Sequence, residues 1–131
     1  TSQRYGIGQL VYSPLAQGVL TGKYKPNTAP PSGTRAADES GKNFVANFMS
    51  EDHLRQAQEL VALAEHHGLD ATRMALAFAL RNQGVSSVLV GARSIEQLHH
   101  NLSSVDVELS AECVAALDQI FPVADPSQLS S

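Results

Sequence analysis

The stretch Gly91-Ala92-Arg93-Ser94 holds the residue types that point most directly to chemistry. It follows the apolar run from Val85 to Val90 and precedes a segment with helical spacing. Free backbone N–H groups and the positive end of a helix dipole would then meet at a strand terminus, an arrangement that favours an anion. Arg93 adds a planar donor fork that matches phosphate oxygens. Gln97 and Asn101, one turn apart on the same helix face, are able to donate and accept toward a base or a sugar. The plainer alternative is that Ser94 and Gln97 form a capping box while Arg93 lies in solvent. The residues alone leave both open.

A second group ends another apolar run, Ile7 to Tyr12, with Tyr12-Ser13-Pro14-Leu15. In parallel α/β folds ligands gather at that end of a strand. Tyr12 could offer a flat face to an aromatic ring, and the backbone from Leu15 to Gly18 could approach a pyrophosphate. The competing account is a core tyrosine with its hydroxyl satisfied. Lys23 and Arg35 fall in the loop that follows, where they either close over a phosphate or keep the loop soluble. In Lys23-Tyr24-Lys25 an adjacent ammonium could lower the phenol pKa, but sequence neighbours rarely converge on one substrate, so a surface loop is expected. The pairs His66-His67 and His99-His100 would point about 100° apart on helices. No metal site is expected from them.

These groups need elements to hold them. Ile7–Tyr12 and Val85–Val90 read as buried strands, the first entered through Gly6/Gly8 and stopped at Ser13-Pro14. From Ala16 to about Asn47 no period is sustained and Gly and Pro recur, so 25–47 is expected to be a long flexible loop. Helices are expected from Glu51 to His67 behind the cap Ser50, and from Ala71 to about Asn82 behind Asp70. Two more run from Ile95 to about Leu102 behind Ser94, and from Ala111 to Phe121 behind Ser110. A polar tail, 123–131, follows. Strands alternating with helices imply a parallel sheet with covering helices. Two such strands leave open edges that favour association.

At 131 residues, 43% hydrophobic and 17% charged, the balance is that of one globular domain or a large piece of one. The net charge of −4 argues against a nucleic-acid surface. No apolar run approaches the roughly 20 residues that cross a bilayer, and no secretory leader opens the chain; a cytoplasmic location is the default expectation. The single cysteine, Cys113, has no partner for a disulfide or a zinc site and is expected to be a core thiol. The opening Thr1-Ser2-Gln3-Arg4 reads as the middle of something longer.

Two stretches together resemble aldo-keto reductase signatures: Tyr12-Ser13-Pro14-Leu15-Ala16-Gln17-Gly18-Val19-Leu20-Thr21-Gly22-Lys23-Tyr24 and Val90-Gly91-Ala92-Arg93-Ser94-Ile95-Glu96-Gln97-Leu98. The first resembles the seventh strand of the family's barrel and its continuation. The second resembles the eighth strand and the helix that binds the adenosine 2′-phosphate. The resemblance spans essentially the whole chain and is closest to the branch holding potassium-channel β subunits and similar bacterial oxidoreductases. It implies an α/β fold, the C-terminal portion of a TIM (β/α)8 barrel, with about two parallel strands and covering helices.

By that resemblance Tyr12 stacks on nicotinamide, and Ser13, Pro14, Leu15 and Gln17 line the pyrophosphate path. Lys23 and Arg35 clasp the cofactor, Gly91 and Arg93 hold the 2′-phosphate, and Gln97 and Asn101 contact the adenosine. The implied cofactor is NADP, and the implied partner in a complete barrel is a small carbonyl substrate. His100 departs from the pattern, since relatives commonly carry glutamate next to the asparagine. The family's catalytic tyrosine, lysine, aspartate and histidine come from the first half of a barrel of about 250 residues, and none of those segments is in this chain. No catalytic residue is therefore assigned, and the chain alone is expected to be inactive. The alternative is a non-catalytic module of the same fold that binds a nucleotide or pairs with another chain through its sheet edge.

Overall fold

The computed structural model describes residues 2–122 of the chain; the expected polar tail at 123–131 lies outside them. Two short strands, β1 (Gln9–Val11) and β2 (Val85–Val88), pair in parallel with Leu10 opposite Ser87 and Val11 opposite Val88. The ladder continues past both ends, from Gln9 N–H to Gly84 O at 2.8 Å and from Leu89 N–H to Val11 O at 2.8 Å. Because the strands run the same way, their C-terminal ends lie side by side. The Ser13 turn and the Gly91–Arg93 turn leave the sheet as neighbours.

The α-helices are α1 (Lys42–Val45), α2 (Glu51–His66), α3 (Ala71–Leu80), α4 (Ile95–Leu102) and α5 (Ala111–Ile120). Four start as the sequence expects. Ser50, Asp70, Ser94 and Ser110 each accept the backbone N–H three residues on, at 3.0–3.2 Å, and so satisfy one of the donors a helix start leaves free. Helix α3 ends at Leu80, two residues before the expected Asn82.

Helices α2, α3 and α5 bury a common core of Leu60, Ala64, Ala71, Met74, Ala75, Cys113 and Leu117. The alanines let the helix backbones approach closely. A second core joins Val19, Tyr24 and Val45 to Leu54 and Ala57 of α2. This core corrects two expectations. The segment from Ala16 to Asn47 is not without helical order: it holds 3₁₀ turns at Ala16–Thr21 and Arg35–Ala37, then α1 and a further 3₁₀ turn at Ala46–Phe48. Tyr24 is not a surface residue; it is 1% exposed. Its hydroxyl accepts the Ala36 N–H at 3.3 Å, and Gln58 of α2 donates to its carbonyl at 3.0 Å.

The strands are also not buried as expected. Leu10 is 67% exposed and Leu89 54%. Packing from α3 covers part of β2, and the described residues supply no third strand or further layer. Among the described residues no helix is long and apolar enough to cross a membrane.

Candidate cofactor cleft

The backbone beyond β1 is unusual before any side chain is considered. Ser13, Ala16 and Gln17 have φ of 52°, 47° and 58°, and Gly18 follows at 95°. Left-handed conformations cost non-glycine residues on the order of 1 kcal/mol or more each, and they cluster where a chain must be shaped for function. Here they curl the chain back across the end of the strand. Gly18 N–H and Leu20 N–H both bond Leu15 O, at 2.8 and 3.2 Å. Gly22, also left-handed at φ 77°, closes the turn so near α2 that an added Cβ would stand 2.3 Å from Val61 Cγ2.

Side chains then tie the long segment to this turn. Gln17 Nε2 donates to Ser13 Oγ at 2.7 Å, and Arg35 donates to Gln17 Oε1. Gly41 is required behind Arg35, because a Cβ there would lie 2.8 Å from Arg35 O. Lys23 folds over Gly18 with its ammonium 5.3 Å from the Tyr24 ring centroid.

The second turn supplies the opposite wall. Ser94 caps α4, and Gln97 Oε1 reaches back to the Arg93 N–H at 2.9 Å, one residue ahead of the usual capping-box partner. That bond engages one side of the Gln97 amide. The Arg93 guanidinium crosses to the long segment and donates to Gly33 O at 3.2 Å. Asp38, on the same segment, holds its carboxyl below the usual value chiefly through hydrogen bonds from Ser40, with the Arg93 charge adding to them. Asn101, on the inner face of α4, is only 8% exposed. Its carbonyl accepts the Ser104 hydroxyl at 2.5 Å, and its side-chain amide makes no hydrogen bond with the described residues.

Between these walls lies a cleft of about 1100 Å³. Ser13, Pro14, Leu15, Gln17, Lys23 and Arg35 line one side, and Gly91, Arg93, Gln97 and Asn101 line the other. Every residue expected at the cofactor is gathered there except Tyr12, which is 78% exposed and stands outside it. The cleft also takes in residues the sequence did not single out for it, among them Asp38, Phe44, Thr72 and Glu96. Asp38, Phe44 and Thr72 arrive by the folding of the long segment and of α3, which local spacing does not mark, while Glu96 comes with the first turn of α4. His100, noted in the sequence only as a departure, lines the cleft too. Its Nε2 lies 3.0 Å from Asp70 Oδ1. Burial pushes the Asp70 carboxyl up, but the Arg73 N–H and the His100 bond outweigh it and leave the carboxyl below its usual range.

Among the described residues no group of His, Cys, Asp and Glu could hold a metal ion. What the cleft offers instead is three cations, a helix start and the unpartnered amide of Asn101, a donor set suited to a phosphorylated ligand with a polar ring.

The aldo/keto reductase family model matches residues 1–121. The chain belongs to the aldo/keto reductase family. It is 41% identical over 103 residues to a probable voltage-gated potassium channel subunit beta of Arabidopsis thaliana, covering 79% of this chain and 31% of that protein. It is 38% identical over 122 residues to protein tas of Escherichia coli strain K12, covering 93% and 34%. An L-glyceraldehyde 3-phosphate reductase of Escherichia coli O157:H7 is 33% identical over 120 residues, covering 91% and 35%. The chain thus spans about a third of the length of the curated relatives it matches. The family's fold is the TIM barrel, and the two parallel strands with their helices are a portion of one. The cleft sits at the C-terminal ends of both strands, the face on which such barrels bind ligands. The family generally uses a nicotinamide dinucleotide.

Proposed function

We propose that this chain carries the NADP-binding part of an aldo-keto reductase site, serving carbonyl reduction by hydride transfer in a complete barrel and inactive alone. The observation that carries the reading is the convergence of Ser13, Gln17, Lys23, Arg35 and Arg93 on one cleft that also presents the unpartnered amide of Asn101. Such a cleft is at the upper end of the few hundred to ~1,000 Å³ usual for small-molecule sites, as an extended dinucleotide needs.

In this reading Gly91 and the α4 start lend N–H groups to the adenosine 2′-phosphate while Arg93 neutralises it. Ser13, Pro14, Leu15 and Gln17 border the pyrophosphate, Lys23 and Arg35 close over it, and Gln97 and Asn101 hold the adenosine. Tyr12, exposed beyond the mouth, offers its ring to the nicotinamide. When bound, the nicotinamide supplies the hydride. This chain's residues bind and orient; the proton donor comes from elsewhere in the barrel. A buried, reduced Cys113 suits the cytoplasm as its compartment.

The exposed apolar residues Leu10, Tyr12 and Leu89 favour a second reading, a non-catalytic module that pairs with another chain through its sheet. Titration with NADPH and NADH decides between them. Arg93→Ala is expected to weaken NADPH about 10- to 100-fold, the loss of charge-assisted bonds, and to leave NADH within about twofold. Equal losses for both cofactors would refute the 2′-phosphate assignment, and no nucleotide binding at all would leave the second reading.

A further inference from the structure

Resting on the nucleotide reading above, we propose that Asp38 sets how far the site prefers the phosphorylated dinucleotide, as a fixed carboxylate that works against Arg93 at the 2′-phosphate. The Arg93 guanidinium leaves its own turn and donates to Gly33 O at 3.2 Å, which carries its charge over to the segment that holds Asp38. Both residues line the cleft, and both line a smaller cavity of about 260 Å³ with Gly33, Thr34 and Ala37. Asp38 is held in place on that segment. The Ser40 N–H donates to Oδ1 at 3.2 Å and the Ser40 hydroxyl to Oδ2 at 2.8 Å, while the Asp38 carbonyl accepts the Gly41 and Lys42 N–H groups at 3.0 and 2.8 Å. The bonds from Ser40, with the Arg93 charge adding to them, keep the carboxyl below its usual range, so it is an anion at neutral pH. Its neighbour Glu39 is paired with Lys42 at 2.6 Å, whereas Asp38 makes no direct ion pair among the described residues.

The consequence differs between the two dinucleotides. A 2′-phosphate must share Arg93 with Asp38 and bring its own negative charge to the same corner, so a like charge offsets part of the attraction that Arg93 supplies. A ribose with a free 2′-hydroxyl meets no such penalty. It brings a donor, and a carboxylate that holds one hydrogen bond on each oxygen has lone pairs left to accept it. Arg93 therefore favours the phosphorylated form while Asp38 tempers it, and the preference is the difference between the two effects.

The test is titration of the chain with NADPH and with NADH at low and at high ionic strength, followed by the fluorescence of the reduced nicotinamide. Asp38→Asn removes the charge and keeps the turn, because its amide oxygen still accepts from Ser40. It should raise the preference for NADPH over NADH about three- to tenfold at low salt, the size of a like-charge interaction near a surface. The gain should shrink at about 1 M salt, where charges act over only roughly 3 Å. Asp38→Glu, which keeps the charge, should stay within about twofold of the wild-type ratio. A merely structural Asp38 would shift both dinucleotides together, so an unchanged or lower ratio in Asp38→Asn, with NADPH still bound and still sensitive to Arg93→Ala, overturns the role of Asp38 alone. A gain of the same size in Asp38→Glu overturns it too. Failure of the wild type to bind either dinucleotide overturns the nucleotide reading and this inference with it.

Discussion

Tyr24 shows how a single side chain organises a segment whose sequence looks unstructured. Its phenol is buried between Val19, Val45 and α2, and its oxygen is the acceptor for the Ala36 N–H, one residue past Arg35. Tyr24→Phe keeps the packing and removes only that acceptor. We expect a loss of about 1 kcal/mol, the usual net worth of a neutral hydrogen bond, read as a lower urea midpoint at unchanged slope. The sequence could not announce this burial, because Tyr24 lies between two lysines and the partners that enclose it come from α1 and α2. Cys113 is the opposite case. The lack of any cysteine partner in the sequence marked it as a core thiol, it packs in the core with Leu117, and burial, reinforced by the neighbouring Glu112, pushes its thiol up and away from reactivity.

Elements were legible where a local rule governs them. The four long helices begin at the Ser or Asp caps read from the sequence, since a cap acts within three residues and needs no tertiary information. The strands were legible in type but not in burial, because exposure depends on neighbours in space, and apolar runs do not say whether those neighbours are in the same chain. The cleft was legible as two turns with phosphate-binding chemistry. Its third wall, from Gly33 to Phe44, was not, since the Arg93 bond to Gly33 joins residues far apart in sequence. A helix start also sets an acid limit on the fold. The folded Asp70 carboxyl lies below its unfolded value of 3.8, so its contribution is complete well above that pH and is lost as pH falls through the lower, folded value. Asp70→Asn keeps a competent cap without the charge. Between pH 6 and pH 3 the wild type should lose more stability than Asp70→Asn in urea unfolding, and equal losses would remove Asp70 as a source of acid sensitivity.

At the scale of the whole molecule, the two parallel strands form a two-stranded sheet among the described residues, with exposed apolar side chains at Leu10 and Leu89. We expect the chain to self-associate through them, visible as a sedimentation coefficient that rises with concentration, and Leu89→Lys to reduce that rise. We also expect the 131-residue chain alone to show no oxidation of NADPH with a reactive aldehyde, whatever its affinity for the cofactor; robust turnover would overturn the assignment of the chemistry to other segments. The left-handed run at Ser13, Ala16 and Gln17 bears on how the molecule would respond to engineering. A search rewarding heat resistance alone would be drawn to those three positions, where glycine or asparagine eases the conformation. Each such relief would free the strand's exit to swing away from the glycine-arginine corner opposite, so a sturdier protein would be a poorer holder of its ligand.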